Sequence, residues 1–536
     1  MQVSSKQYRW AASGDVNAFF GLMLDNIADL LLTVGLLAVA FEFPAEFALR
    51  NMIPGTAIGV LVGDLLFFWM ALSLAKRTGR DDITAMPLGL DTPSTFGMVF
   101  FVLGPAFLSA KEALPEGADV TLAARHAWHI GICSIFISGL FKFVCALGSN
   151  WIRRVVPRAG LLGSLAAIAL VLITFLPLVE ILEYPIVGFI ALAIILTTLV
   201  AQVRLPFRVP GALGALLVGG AIYYLMRETG TLGHVPEQLI KPEQALLPHE
   251  WLTVFRFEWV AALKDTVSYL PIVIPFALGT VIGGIDCTES AAAAGDEYDT
   301  GKIVGVEAFA TLVASLCGGV IQTTPYIGHP AYKAMGGRAA YTLATALFIG
   351  SAGLVGYFGY MYVVIPKVTV YPILMFVGLE ITAQSFRATP KRHYAAVALA
   401  CVPALAALAW IYIGKTGIDV DALAQAALRR ELQTVRILAN GFIVTSLLWA
   451  SAMAAIIDRR LSLAAIYFAI GSLCTTFGVI HSPLPGGPVF LPWQLEPEVF
   501  FTVLRYTCGY AAVAVMLLAW DGWHQVRGNE PSSTNG

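Results

Sequence analysis

Apolar runs dominate the chain. Runs long enough to cross a bilayer, about 20 residues each, fall at 17–41, 55–75, 93–110, 127–148, 159–178, 183–203 and 209–226. A polar stretch at 227–257 interrupts them. They resume at 267–290, 303–321, 329–338, 339–361, 365–385, 393–413, 436–457, 461–481 and 498–520, about sixteen segments in all. Two of them, 93–110 and 329–338, are short. Each follows an extended stretch marked by Gly and Pro, in LGLDTPSTFGMVFF (88–101) and TTPYIGHPAYKAM (323–335). Matching breaks of this kind mark inverted-repeat transporters, whose discontinuous helices build the substrate site. The pattern predicts a first repeat over 1–226, an extracytoplasmic loop over 227–257, a second repeat over 258–457 and additional C-terminal helices over 458–536. In each break a proline, Pro93 or Pro330, is expected at the first helical position, where a missing N–H does no harm. Thr92 and His329 precede them as expected caps.

Composition narrows the class. Of 536 residues, 58% are hydrophobic and 13% charged, against about 25% charged in a soluble domain. So much apolar surface has no place in a water-soluble, disordered or coiled-coil protein. The formal net charge of -2 offers no basic footprint for nucleic acid. The seven cysteines sit in or beside apolar runs without a CxxC pair. They read as small core hydrophobes. Residues 1–16 do not read as a signal peptide. Lys76, Arg77, Arg80, Arg387, Lys391, Arg392, Arg459 and Arg460 fall on one side of the expected topology. The opposite loops at 42–54, 179–182 and 482–497 carry only Arg50. This bias predicts a plasma (bacterial inner) membrane protein with both termini cytoplasmic. The stretch 414–435, with Lys415, Arg429 and Arg430, breaks the bias and is expected as an amphipathic helix on the interface.

An ionisable side chain within a span costs roughly 2.5–3.5 kcal/mol, so each such residue needs a reason. The first span holds Asn17, Asp25, Asn26 and Asp29, with Asp25 and Asp29 on one face. Asp64, Asp91, Lys142, Glu307 and Glu380 follow, as do the pairs Asp286/Glu289 and His329/Lys333. Asp64, Lys142 and Glu307 read more readily as halves of buried pairs that fix helix packing. The opposed helix starts gather unpaired N–H groups and positive dipole ends, a setting for an anion or an electron-rich ring. A facing carboxylate would accept from ring N–H groups or carry a coupling proton. Tyr326 and Phe96 would offer aromatic surface. His126 and His129 have metal-ligand spacing but no third ligand in sequence, so neither a metal, a cofactor nor an enzyme is expected.

The stretches GVEAFATLVASLCGGVIQTTPYIGHPAYKAMGGRAAYTLATALF (305–348) and VYPILMFVGLEI (370–381) resemble the xanthine/uracil permeases, or nucleobase–ascorbate transporters, on their AzgA-like side. The wider superfamily includes sulfate and bicarbonate transporters. The resemblance implies an all-α polytopic fold of seven plus seven inverted segments, with two half-helices crossing at the midplane. About two extra C-terminal helices are left over. It also implies that Glu289, followed by Ser290, is the substrate-binding carboxylate of the eighth segment, with Asp286 in reserve. A second register puts Phe276 there. In the tenth segment the family's Glu–Asn or Gln–Asn reads Gly328–His329, and its Asn–x–Gly motif ending in Thr–Arg is absent. With the residues read at the breaks, the expected substrate set is Asp91, Thr92, Phe96, Glu289, Tyr326, Gly328 and His329. The expected proton carriers are Glu289, Asp286 and Asp25. The expected protein is a secondary-active symporter of a small planar solute, such as a purine or pyrimidine base, with a proton or sodium as coupling ion. It is expected in the lipid bilayer as a homodimer, with no nucleic-acid partner. The alternative is a carrier or exchanger of a small inorganic or organic anion, favoured by His329, Lys333 and the missing tenth-segment acid.

Overall fold

The computed structural model describes residues 8–115, 117–148, 158–206, 209–233, 241–326 and 328–528. The chain ends, residues 234–240 of the polar loop and Ile327 in the second break lie outside them. Helices follow the apolar runs: α1 Gly14–Phe41, α2 Ala45–Thr78, α3 Thr92–Glu112, α4 Thr121–Leu147, α5 Ala159–Glu183, α6 Pro185–Val200 and α7 Gly211–Glu228. After the polar loop come α8 Leu270–Ala293, α9 Thr300–Leu316, α10 His329–Ala334, α11 Ala340–Val355, α12 Phe358–Val364 and α13 Lys367–Arg387. The chain continues through α14 Tyr394–Lys415, α15 Ala426–Ala439, α16 Phe442–Ile457, α17 Leu461–Thr476 and α18 Pro497–Gly528. Among the described residues nine helices are long and apolar enough to cross a membrane. Two bent pairs, α11 with α12 at 93° and α15 with α16 at 75°, raise this to eleven. The chain is an all-α, multi-pass membrane protein.

Three boundaries differ from the hydropathy reading. The run at 93–110 is part of a full-length helix, Thr92–Glu112. The run at 329–338 forms only His329–Ala334. The run at 436–457 starts at Phe442, because Gly441 takes a left-handed φ of 73° and ends the separate, amphipathic α15. A residue with a Cβ disfavours that conformation.

The chain forms two compact units, one from Met1–Ile152 with Ile173–Gly378, the other from Arg153–Leu172 with Leu379–Gly536. In the second, α5, α14 and α16 meet through Ala159, Ala396, Ala400, Ala450 and Ala454. Small side chains let helix backbones approach closely where lipid supplies no hydrophobic drive. In the first unit, two three-residue strands, β1 Leu88–Leu90 and β2 Thr323–Pro325, pair antiparallel with Leu88 opposite Pro325 and Leu90 opposite Thr323. Asp91 N–H to Gln322 O (3.0 Å) and Tyr326 N–H to Pro87 O (2.9 Å) extend the pairing. One strand leads into α3 and the other into α10, so the two breaks seen in the sequence meet.

The helix starts need a correction. Asp91, not Thr92, caps α3: its backbone is extended and its carboxylate accepts the Ser94 N–H at 3.0 Å. Gly328, not His329, holds the cap position of α10, without a side-chain cap. Pro93 and Pro330 are therefore the second helical residues. Both Thr and Asp serve as caps, so spacing alone did not separate them.

Candidate functional site

A strand pair buried in a membrane protein must find partners for its outward N–H and C=O groups without water. Here side chains supply them. Asn26 Oδ1 on α1 accepts the Leu90 N–H at 3.0 Å, and Asp64 Oδ1 on α2 accepts the Leu88 N–H at 3.1 Å. Lys142 Nζ on α4 donates to Thr323 O at 2.9 Å and lies 2.8 Å from Glu307 Oε1 on α9. Lys142 and Glu307 are both fully buried. The Lys142–Glu307 pair is thus the buried ion pair anticipated for these residues, and it also holds β2.

Beside the strands lies a chain of polar contacts. Ser138 O–H donates to Gln322 Oε1 at 2.6 Å, and Gln322 Nε2 donates to Asp91 Oδ2 at 3.4 Å. Thr92 O–H donates to Asp29 Oδ2 at 3.0 Å. The second oxygens of Asp29 and Asp64, and Asp25 Oδ1, are buried without a protein hydrogen bond among the described residues. Gly89 faces these groups: a Cβ there would lie 3.6 Å from Asp25 Oδ2, in ordinary contact. Among the described residues, five carboxyl groups, those of Asp25, Asp29, Asp64, Asp91 and Glu307, are therefore buried with the single ammonium of Lys142. Such a set needs counter-charge from protons or cations.

A second cluster sits beside α10. Asp296, in the loop between α8 and α9, accepts Lys333 Nζ at 2.5 Å and the Thr84 N–H at 3.0 Å. His329 Nε2 lies 3.3 Å from Asp296 Oδ2 and 3.1 Å from Thr84 O. Arg80 adds a contact at 3.3 Å. Burial pushes the Asp296 carboxyl up, but the hydrogen bonds from His329, Lys333 and the Thr84 N–H outweigh it, and its pKa ends below the usual range. This carboxylate ties the approach to β1 to the helix after β2.

The expected site residues fall in different places. Asp91, Thr92 and Asp25 stand at the crossing. Phe96 is fully buried and stacks on Phe100, with centroids 6.3 Å apart. Phe276 packs on the bare Gly97 of α3. Tyr326 is half-buried and stacks on Tyr332 at 6.2 Å and 24°. Gly328 fits between these rings: a Cβ would lie 2.7 Å from Tyr326 and 3.0 Å from Tyr332. His329 and Lys333 turn to Asp296. Asp286 and Glu289 are half-buried on α8, flanking Cys287 and Thr288, whose side chains bond Pro325 O and Gly284 O. Gln322, Ser138 and Thr311, whose Oγ1 accepts the Thr323 N–H at 3.3 Å, were not singled out in the sequence. Only the position of Gln322, directly before the TTP of β2, marked it.

No protein-family profile matches the chain, and no curated protein does. Solved structures of similar shape exist. The transmembrane domain of a cyanobacterial bicarbonate transporter, BicA, is 14% identical, with a TM-score of 0.46 over 82% of this chain and 96% of that one. SLC26A9 is 12% identical, with a TM-score of 0.44 over 78% of this chain and 65% of that one. The murine Slc26a9 anion transporter in its inward-facing state is 12% identical, at 0.37 over 86% and 69%. At these values the roles of the residues rest on the geometry of this chain.

Proposed function

We propose that the chain is a secondary-active transporter that carries a small anion together with protons. The observation that supports it most is the buried strand crossing, flanked among the described residues by five carboxyl groups and one ammonium. An anion entering such a centre needs accompanying positive charge, and the unpartnered oxygens of Asp25, Asp29 and Asp64 are places where protons would ride. The anion itself is favoured by α10. Gly328, packed against two tyrosine rings, leaves no room at its start for an acid or amide that would grip a nucleobase edge.

A planar base is the second reading, favoured by the half-buried ring of Tyr326 stacked on Tyr332. Uptake into proteoliposomes separates the two. Labelled sulfate, small carboxylates, xanthine and uracil are offered with the outside at pH 6 and the inside at pH 7.5. Accumulation of an anion, collapsing when the gradient is dissipated, is expected. Accumulation of a base alone would replace the anion reading with the planar one. Accumulation of none would remove transport of these classes.

A further inference from the structure

The second unit holds a groove that the transport site does not use. It is a cavity of about 530 Å³ among α15, α16, α17, α18 and the loop after α17. Its inner polar atoms satisfy each other. Trp449 Nε1–H donates to the Tyr510 hydroxyl at 2.7 Å, and His481 Nε2 lies 2.8 Å from the same oxygen. His481 Nδ1 lies 3.3 Å from Ile437 O. The tautomer consistent with both contacts has Nδ1–H donating to Ile437 and Nε2 accepting from Tyr510. Burial pushes His481 down to about 4, so the ring is neutral and the inner end carries no charge.

The remaining charge is Arg505. Its side chain is exposed and lines the groove, and among the described residues no carboxylate lies within salt-bridge distance of it. Arg505, Gly509 and Val513 stand on one face of α18. From Arg505 to Val513 the face runs about 12 Å along the helix. At Gly509 an added Cβ would meet nothing within 4 Å, so the floor there is open. α18 is a helix of spanning length, with Phe501 and Leu504 exposed beside Arg505. An unpaired guanidinium on such a helix is costly unless an anion or the headgroup layer receives it. The other wall supplies the level. α15 is amphipathic, bears Arg429, Arg430 and Glu431, and meets the apolar helix α16 at 75°. That is the setting of a helix lying in the interface. Its Thr434 lines the groove with Arg505. The groove thus has a cationic, hydroxyl-bearing rim beside an interfacial helix and an apolar floor along a spanning one.

We infer that this groove is a binding site for an anionic phospholipid, with the phosphate on Arg505 and one acyl chain laid over Gly509 toward Val513. The order of chemistry along the groove is that of the lipid: charge, then hydrocarbon. A guanidinium offers phosphate a paired, charge-assisted contact. The site does not depend on the transport reading.

Native mass spectrometry of the full chain in detergent tests it, with phosphatidylglycerol, phosphatidylcholine and inorganic phosphate as probes. Wild type is expected to retain phosphatidylglycerol over phosphatidylcholine. Arg505→Gln should weaken phosphatidylglycerol about tenfold, the scale of one lost hydrogen bond to a charged group, and erase the preference. Arg505→Lys should restore part of it. Gly509→Leu should lose phosphatidylglycerol with the guanidinium intact. Equal retention by wild type and Arg505→Gln would overturn the proposal. So would full competition by inorganic phosphate, which would make the site one for a free anion. A dimer that Gly509→Leu splits without changing lipid retention would assign the groove to a second copy of the chain and overturn it too.

Discussion

Lys142 and Glu307 give the sharpest energetic test, because both side chains are wholly buried and one of them holds a strand of the crossing. Removing one partner of a buried ion pair costs about 3–5 kcal/mol, since the other charge is left uncompensated. Glu307→Gln belongs at the lower end, about 3 kcal/mol, because Lys142 Nζ keeps Thr323 O at 2.9 Å and has Thr311 Oγ1 at 3.4 Å. Lys142→Met belongs at the upper end, about 5 kcal/mol, because Glu307 loses its cation and Thr323 O loses its strongest donor. The double variant Lys142→Met/Glu307→Gln leaves no net charge. It should be no worse than the lysine variant alone, a coupling of about 3 kcal/mol. Unfolding in mixed micelles, followed by tryptophan fluorescence, measures all four proteins. Losses that add to within about 0.5 kcal/mol would refute the pair as drawn.

Further outcomes follow from the same geometry. Asp29→Asn can still accept from Thr92 but cannot bind and release a proton; the purified variant should keep wild-type stability while its uptake ceases to respond to an imposed pH gradient. Gly328→Leu should push apart Tyr326 and Tyr332 and reduce uptake at least tenfold in proteoliposomes, with Gly328→Ala in between. The pKa of Asp296 is depressed in the fold, so its contribution is present above the unfolded value, about 3.9, and is lost as pH falls through the lower folded value. Thermal melts should therefore show wild type losing stability below about pH 4 more steeply than Asp296→Asn, which should be destabilised by about 3 kcal/mol at neutral pH.

The crossing was legible because Gly and Pro punctuate both breaks and because each stretch is followed by a Pro-marked helix start. Its wiring was not. Asp64 read as half of a buried pair and Asn26 only as a polar residue of the first span, yet each spends an oxygen on a strand N–H that only the folded chain brings to it. His329 read as a ligand because it opens α10. Its ring meets Asp296, in the polar stretch GDEYDT (295–300), a partner that only folding brings to it. An amphipathic helix was legible from the charges of 414–435, but it forms over Ala426–Ala439, and its end at Gly441 was hidden by the apolar residues that run straight through the bend. Nothing local marked Gly328 as a spacer between two rings, since Tyr326 and Tyr332 only come face to face once the break folds.

The central claim is that anion and protons pass together through the strand crossing. It is tested most directly by luminal pH in proteoliposomes loaded with a pH-sensitive dye, after the anion found in the uptake screen is added outside. The lumen should acidify in step with anion entry in wild type and stay unchanged in Gly328→Leu. Anion entry without acidification, or acidification undiminished in Gly328→Leu, would contradict it.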